Sequence, residues 1–252
     1  MQPKLTLVGA GPGDGELITL KGIKALRQAD VVLYDELANA TLLDYAPAQA
    51  LKVYVGKKAG EASFTQHEIN RMIVRFATKH GHVVRLKGGD SFVFGRGYEE
   101  SEYARQHDIP CEWIPGVSSC IAVPASQHIP VTCRGVSESF WVITGTTRHG
   151  ELSDDLQLAA QSQATVVVLM GMKKLEEICA MYNHYGRGHL PMAVIQNGTR
   201  ADERCVVGQV WEMPKLVTGQ GVGAPAVIII GEVVALHPAY LSEYVRSLPV
   251  AC

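Results

Sequence analysis

The sequence predicts an α/β protein built from two α/β domains, and three observations carry that expectation. Short apolar runs at 4–8, 31–34, 51–55 and 83–86 alternate with helical patterns through the first half, which is the signature of a mainly parallel sheet. Most of these runs stop at a polar or Gly-rich turn, as strands do where open sheets gather ligands at their carboxyl ends. The second half changes texture, with late strand-like runs joined by short connections that suggest some antiparallel pairing. The change falls near Pro115-Gly116, so the expected domains are 1–115 and 116–252, without a low-complexity linker or internal repeat.

The first run, "KLTLV", enters "GAGPGD" directly. Its spacing approaches the dinucleotide pattern G-x-G-x-x-G, but the third Gly is Asp14. Pro12 has no backbone N–H to offer a phosphate. The next helix, 19–28, starts too late to aim its N-terminus at a pyrophosphate. NAD and FAD are therefore not expected. A strand at 31–34 and another at 51–55 follow. Thr65-Gln66-His67-Glu68 is a capping box, and Ile69, Met72, Ile73 and Phe76 behind it lie on one helical face. Gly81 ends that helix, and the flanking His80 and His82 read as surface residues. After the strand at 83–86 comes "KGGDSFVFGRGYEE", then a helix through Arg105.

In the second half "WIPGVSSCIAVPAS" is a turn followed by a short helix of small residues. Residues 140–144, 165–170 and 192–196 are strand-like. The helix at 172–185 places Leu175, Ile178, Cys179 and Tyr182 on one face. Residues 204–208 and 226–230 look like a late pair of strands.

Composition narrows the function classes. The 252 residues carry a formal charge of −2, so no global basic field draws nucleic acid. No apolar run has bilayer length, so no membrane association is expected. The first strand begins within a few residues of Met1, and no signal peptide is expected. The six cysteines form no C-x-x-C pair and read as reduced thiols of a cytoplasmic protein. The nine histidines lack zinc-type spacing, so no metal is expected.

The chemistry sits in the strand-end turns: 9–14, Tyr34-Asp35, Gly56-Lys57-Lys58, 87–90, Ser118-Ser119, Met170-Gly171 and 197–200. Gly88-Gly89-Asp90 offers close backbone approach and one carboxylate, suited to ribose hydroxyls or an amine; alternatively, Asp90 caps its own turn. Arg96 lies between two glycines, which leave its side chain room to project. A guanidinium there suits a carboxylate ligand held by two parallel hydrogen bonds, or a helix-start pair with Glu99 or Glu100. Asp35 and Lys57 are candidate acid/base groups or ordinary surface charges. Met170 is either a core methionine or part of a site.

Together these stretches resemble the tetrapyrrole methylase family. The resemblance is carried, in order, by "LVGAGPGDGELITLKG", "ADVVLYDEL", "VYVGKKAG", "RLKGGDSFVFGRGYEE", "IPGVSSCIA", "HIPVTCRG", "VITG", "VVVLMG", "QNGTR" and "APAVIIIGEVV". It implies two α/β domains with a cofactor cleft between them, usually in a homodimer. It implies S-adenosyl-L-methionine as cofactor, leaving as S-adenosyl-L-homocysteine, and a small-molecule tetrapyrrole substrate. Uroporphyrinogen III is the implied acceptor, taking two methyl groups on the way to siroheme, cobalamin or haem d1. Another corrin-pathway or non-tetrapyrrole acceptor is the alternative.

By family pattern Pro12, Gly88, Gly89, Asp90, Val93, Ser118, Ser119, Met170, Gly198 and Ala226 line the cofactor. Asp35 and Lys57 match a proton acceptor and a proton donor; Arg96, Glu99 and Arg134 match positions facing the substrate. The chain departs from the pattern at Ser91, Tyr98, Cys133 and Thr146.

Overall fold

The computed structural model describes residues 2–56 and 64–240. It has two compact units, divided between Ser119 and Cys120.

The N-terminal unit runs β1 (Lys4–Gly9), α1 (Leu20–Leu26), β2 (Val31–Tyr34), β3 (Leu51–Tyr54), α2 (Gln66–His80), β4 (His82–Lys87), α3 (Gly97–Arg105) and β5 (Cys111–Ile114). Its sheet has the order β3-β2-β4-β1-β5, and every pairing is parallel. Such a sheet must be covered on both faces, and successive residues of its strands serve opposite cores. Val8, Val32 and Val84 join Leu26 and Leu42 in one cluster. Leu7, Leu33 and Val83 join Ile69, Ile73 and Ala77 in the other.

The capping box at α2 forms in full. Thr65 Oγ1 accepts from the Glu68 N–H, while the Thr65 N–H donates to Glu68 Oε2 at 2.7 Å. His82 is a correction: it is not a plain surface residue. Its ring bridges Thr6 Oγ1 at 2.8 Å and the Gln28 carbonyl at 2.9 Å, and burial lowers its pKa.

The C-terminal unit comprises α4 (Ser119–Ser126, whose first residue precedes the division), β6 (Phe140–Thr144), α5 (Asp155–Ala159), β7 (Thr165–Leu169), α6 (Leu175–His184), β8 (Pro191–Gln196), β9 (Arg204–Gln209), α7 (Met213–Gln220) and β10 (Ala226–Ile230). Its sheet has the order β6-β7-β10-β8-β9. Only β6 and β7 are parallel; the remaining neighbours are antiparallel. The expected pair of late strands does not form. β9 lies at the edge against β8, and β10 sits between β7 and β8. Local pattern identifies a strand, but its partner is chosen by which faces can be buried together. Leu175, Ile178, Cys179 and Tyr182 of α6 pack together against Val166, Val168, Val194 and Ile228 of the sheet. Among the described residues no helix is long and apolar enough to cross a membrane.

Candidate active site

Because the N-terminal sheet is all parallel, its strands deliver their carboxyl ends to one edge. There the turns after β1 and β4 are joined backbone to backbone. The Gly11 N–H donates to the Gly89 carbonyl at 3.2 Å, and the Gly89 N–H to the Gly11 carbonyl at 2.6 Å. The turn after β5 closes on both. A Cβ on Gly9 would lie 2.4 Å from the Gly116 nitrogen, and one on Gly116 would lie 2.3 Å from the Gly89 oxygen. No side chain fits there, so the glycines are required for approach. The edge therefore gathers Pro12, Gly88, Gly89, Asp90, Ser118 and Ser119, with Val93 in the turn that follows Asp90.

Asp90 is engaged within this edge. Its Oδ1 accepts from the Phe92 N–H at 2.8 Å, and its Oδ2 from the Gly116 N–H at 2.9 Å. It caps its own turn and ties that turn to the one after β5. Gly89 has φ 64°, and a Cβ there would meet only the Ser119 nitrogen, at 3.7 Å. That open, side-chain-free surface, bordered by peptide groups, fits a ligand approached through its hydroxyls and amine. It does not fit a pyrophosphate at a helix N-terminus. Asp14 instead caps the short 3-10 turn Gly15–Leu17, and α1 begins only at Leu20.

Asp35 follows β2 at the same edge. Its Oδ2 accepts from Arg85 Nη2 at 2.8 Å, and its Oδ1 from the Leu37 N–H at 3.2 Å. Lys57 lies outside the described residues.

Arg96 corrects one expectation. Its flanking glycines serve packing, since a Cβ on either Gly95 or Gly97 would lie 2.6 Å from the Ser91 oxygen. Arg96 itself takes φ 58° as the residue before α3. Its Nε and Nη2 grip Glu99 Oε1 and Oε2 at 3.0 and 2.6 Å. This mutual fork raises the guanidinium pKa and lowers that of the Glu99 carboxyl. Two residues expected to face one substrate thus hold each other, and a carboxylate ligand for Arg96 would take the place of Glu99.

In the C-terminal unit the registers Val227↔Leu169 and Ala226↔Gln196 put the end of β7, the end of β8 and the start of β10 at one edge. Met170, Gly198 and Ala226 gather there. Met170 is not a core residue: it is half exposed, with φ 57°. Asn197 and Thr199, on either side of Gly198, also have positive φ, 51° and 66°. Non-glycine residues in the left-handed region cluster at functional sites. Arg134 is exposed in a tight turn closed by Cys133 and Ser137.

No motif in the sequence marks the most buried charges among the described residues. Glu100, Arg85 and Lys87 have relative exposures of 0%, 3% and 6%. Glu100 Oε1 receives Lys87 Nζ at 2.8 Å, Gln66 Nε2 at 3.1 Å and Arg85 Nε at 3.4 Å. Burial, with the Arg85 charge alongside, pushes the Lys87 ammonium below its ordinary pKa, although Glu100 pulls the other way. One signal could have found them: Arg85 interrupts the apolar run of a predicted parallel strand, where an unpaired charge would be prohibitive.

A parallel sheet whose strand ends gather abutting glycine turns and an acidic residue is the arrangement in which open α/β proteins hold small-molecule ligands. The comparisons with known proteins are more specific. Residues 4–214 match the model of the tetrapyrrole (corrin/porphyrin) methylases. The chain is 44% identical to a uroporphyrinogen-III C-methyltransferase of Methanocaldococcus jannaschii, over 93% of this chain and 98% of that one. It is 43% identical to a siroheme synthase of Photorhabdus laumondii, covering 94% of this chain and spanning half the length of that relative. Among solved structures it resembles the uroporphyrin-III C-methyl transferase of Thermus thermophilus complexed with S-adenosylhomocysteine. The TM-score is 0.79 and the identity 40%, over 92% of this chain and 99% of that one. The chain belongs to the tetrapyrrole methylase family.

Proposed function

We propose that the protein is an S-adenosylmethionine-dependent C-methyltransferase that places two methyl groups on uroporphyrinogen III, giving precorrin-2 for siroheme, cobalamin or haem d1 synthesis. The observation that carries this reading is the N-terminal ligand edge. The Gly11–Gly89 backbone bridge and the Asp35–Arg85 pair stand at neighbouring strand ends, in a chain whose relatives bear that activity.

S-adenosylmethionine, when bound, supplies a sulfonium-activated methyl group. We assign Pro12, Gly88, Gly89, Asp90, Val93, Ser118 and Ser119 of the N-terminal unit to holding it. Met170, Gly198 and Ala226 are assigned the same task in the C-terminal unit. Asp90 acts in part indirectly, by fixing two turns with its carboxylate. Direct displacement at an activated methyl needs alignment more than covalent catalysis, so rigid turns are the relevant contribution.

Arg96 binds a substrate carboxylate in the fork that Glu99 fills here; Arg134 is assigned to a second. Attack by a pyrrole carbon leaves the macrocycle with one proton in excess. Asp35 takes that proton and, through Lys57 as donor, passes it on to solvent, so that one proton is released for each methyl transferred. The protein works as a cytoplasmic homodimer. Support for the compartment comes from its thiols: none of the described cysteines is in a disulfide. Support for the dimer comes from the family.

The test incubates purified protein with uroporphyrinogen III and S-adenosylmethionine and weighs the products. A tetrapyrrole gaining two methyl groups is expected. S-adenosylhomocysteine should also raise the melting temperature, since a ligand of the native state stabilises by mass action, and NAD should not. Stabilisation by S-adenosylhomocysteine without methyl transfer would move the reading to a different acceptor.

A further inference from the structure

Glu100 has no part in the mechanism above, yet its side chain links the segments that do. Sitting in the first turn of α3, it is four residues beyond Arg96 and immediately after Glu99. Through Lys87 Nζ it is fastened to the last residue of β4, next to Gly88-Gly89-Asp90. Through Arg85 Nε it reaches a guanidinium whose Nη2 holds Asp35 Oδ2 at 2.8 Å and whose Nη1 holds the Leu86 carbonyl at 2.9 Å. Through Gln66 it touches the first residue of α2. One carboxylate oxygen thus ties the substrate turn, the cofactor turn and the proton acceptor together.

Stability does not account for this arrangement. Glu100 Oε2 is buried with no hydrogen-bond partner, and one carboxylate shared by two cations leaves much desolvation uncompensated. Well-packed apolar residues in place of the whole Arg85–Lys87–Glu100 cluster would stabilise the fold at least as well, whereas removing Glu100 alone would strand two buried cations.

We infer that Glu100 is a positioning residue for the methyl-transfer reaction: its carboxylate holds Arg85 in the orientation that presents Asp35 at the strand edge. Glu100 and Asp35 share no hydrogen bond or ion pair; Arg85 connects them. The inference rests on the proposed role of Asp35 as proton acceptor.

The experiment is a double-mutant cycle on the full chain, measuring kcat, KM for uroporphyrinogen III and S-adenosylhomocysteine affinity. Glu100→Gln keeps the shape and removes the charge. Alone it should lower kcat by about 10- to 100-fold, the scale of a small misplacement at a reacting centre, with KM and S-adenosylhomocysteine affinity within about threefold. In an Asp35→Asn background the same change should cost less than about threefold, because the group it positions is already gone. A structural role would give the same loss in both backgrounds, as independent sites do, and that result overturns the inference. Should Glu100→Gln fail to fold, Glu100→Asp, which keeps the charge and withdraws it by one methylene, enters the same cycle with the same criteria. Wild-type protein that transfers no methyl group, or Asp35→Asn protein with full activity, would overturn the functional reading itself and this inference with it. Active wild-type protein, an impaired Asp35→Asn variant and additive losses would overturn the inference alone.

Discussion

The two units fill the interiors beneath their ligand edges with different material. In the N-terminal unit Arg85, Lys87 and Glu100 are buried within or against the sheet, along with Asn70, Ser91 and Ser101. In the C-terminal unit the only buried polar residues among those described are Ser137 and Thr165, which hydrogen-bond each other. Left-handed backbone occurs in both units, at Phe94 and Arg96 in the first and at Met170, Asn197 and Thr199 in the second, where all three stand at one sheet edge. One unit concentrates charge that can orient acid–base groups. The other has no buried charge among its described residues and shapes its edge with backbone conformation. Charge suits proton handling and anionic substrate; shape suits a ligand gripped by contact.

The largest expected effect breaks the comparison on the side of charge. Arg85→Met leaves Glu100 and Asp35 without their shared guanidinium and should destabilise by about 3–5 kcal/mol, the usual consequence of removing one partner from a buried ion cluster. In the C-terminal unit Ile228→Val, at an equally buried strand position, should cost about 1 kcal/mol. Denaturant midpoints at unchanged slope measure both. Equal losses, or a stabilised Arg85→Met, would mean that the buried charges are energetically no different from an apolar core.

A smaller effect probes the strained edge. Met170 is half exposed at φ 57°, a conformation that costs an L-residue roughly 1–2 kcal/mol and glycine little. Met170→Gly should therefore raise stability, by about 1 kcal/mol or less after the entropy gained by the unfolded chain. It should also weaken S-adenosylhomocysteine binding by about tenfold through the loss of a large apolar contact. Thermal melts and a titration decide it. A variant with lower stability and intact affinity would make Met170 an ordinary packing residue.

How much was legible in the sequence follows from the range of the interactions. The capping box of α2 and the apolar faces of α2 and α6 depend on neighbours a few residues away, and they came out as read. β5 was not read as a strand. "CEWI" mixes polar and apolar residues on a sheet edge, where only half of each pleat is buried. The partners of β9 and β10 depended on β8, and no local pattern encodes that choice. At the site, the strand-end turns were readable because Gly, Pro and Asp carry their conformational preferences with them. The Arg96–Glu99 fork was one of two open readings. The role of Gly95 and Gly97 was misjudged, because their neighbour, Ser91, approaches by folding back of the chain. The Arg85–Glu100 link was invisible for the same reason: a buried charge becomes intelligible only when its partner arrives from another element.

The smallest effect asks whether charge counts in the N-terminal unit because it is charge or because it is buried. Glu112 on β5 is the exposed counterpart of Glu100. It too meets two cations, Lys4 Nζ at 2.7 Å and Lys21 Nζ at 2.8 Å, but its side chain is 35% exposed. Its hydrogen bonds to Lys21 and Lys4 lower its pKa from 4.5 to about 2. A carboxylate with a depressed folded-state pKa contributes stability that is fully present above its unfolded value. That contribution is lost as pH falls through the folded one. The window here runs from about 4.5 down to about 2. Solvent screening reduces the contribution well below what the shift alone would give, to less than about 1 kcal/mol. Glu112→Gln should thus destabilise slightly at pH 7, and the difference from wild type should shrink on acidification through that window. Adding salt at pH 7 should also shrink it, since the pair is exposed. Denaturant midpoints at pH 7, pH 4 and pH 2.5, with and without salt, measure it. A loss at pH 7 as large as that of Arg85→Met would show that burial is not what separates the two clusters. A difference that persists unchanged at pH 2.5 would mean that Glu112 acts through packing and not through its ion pairs.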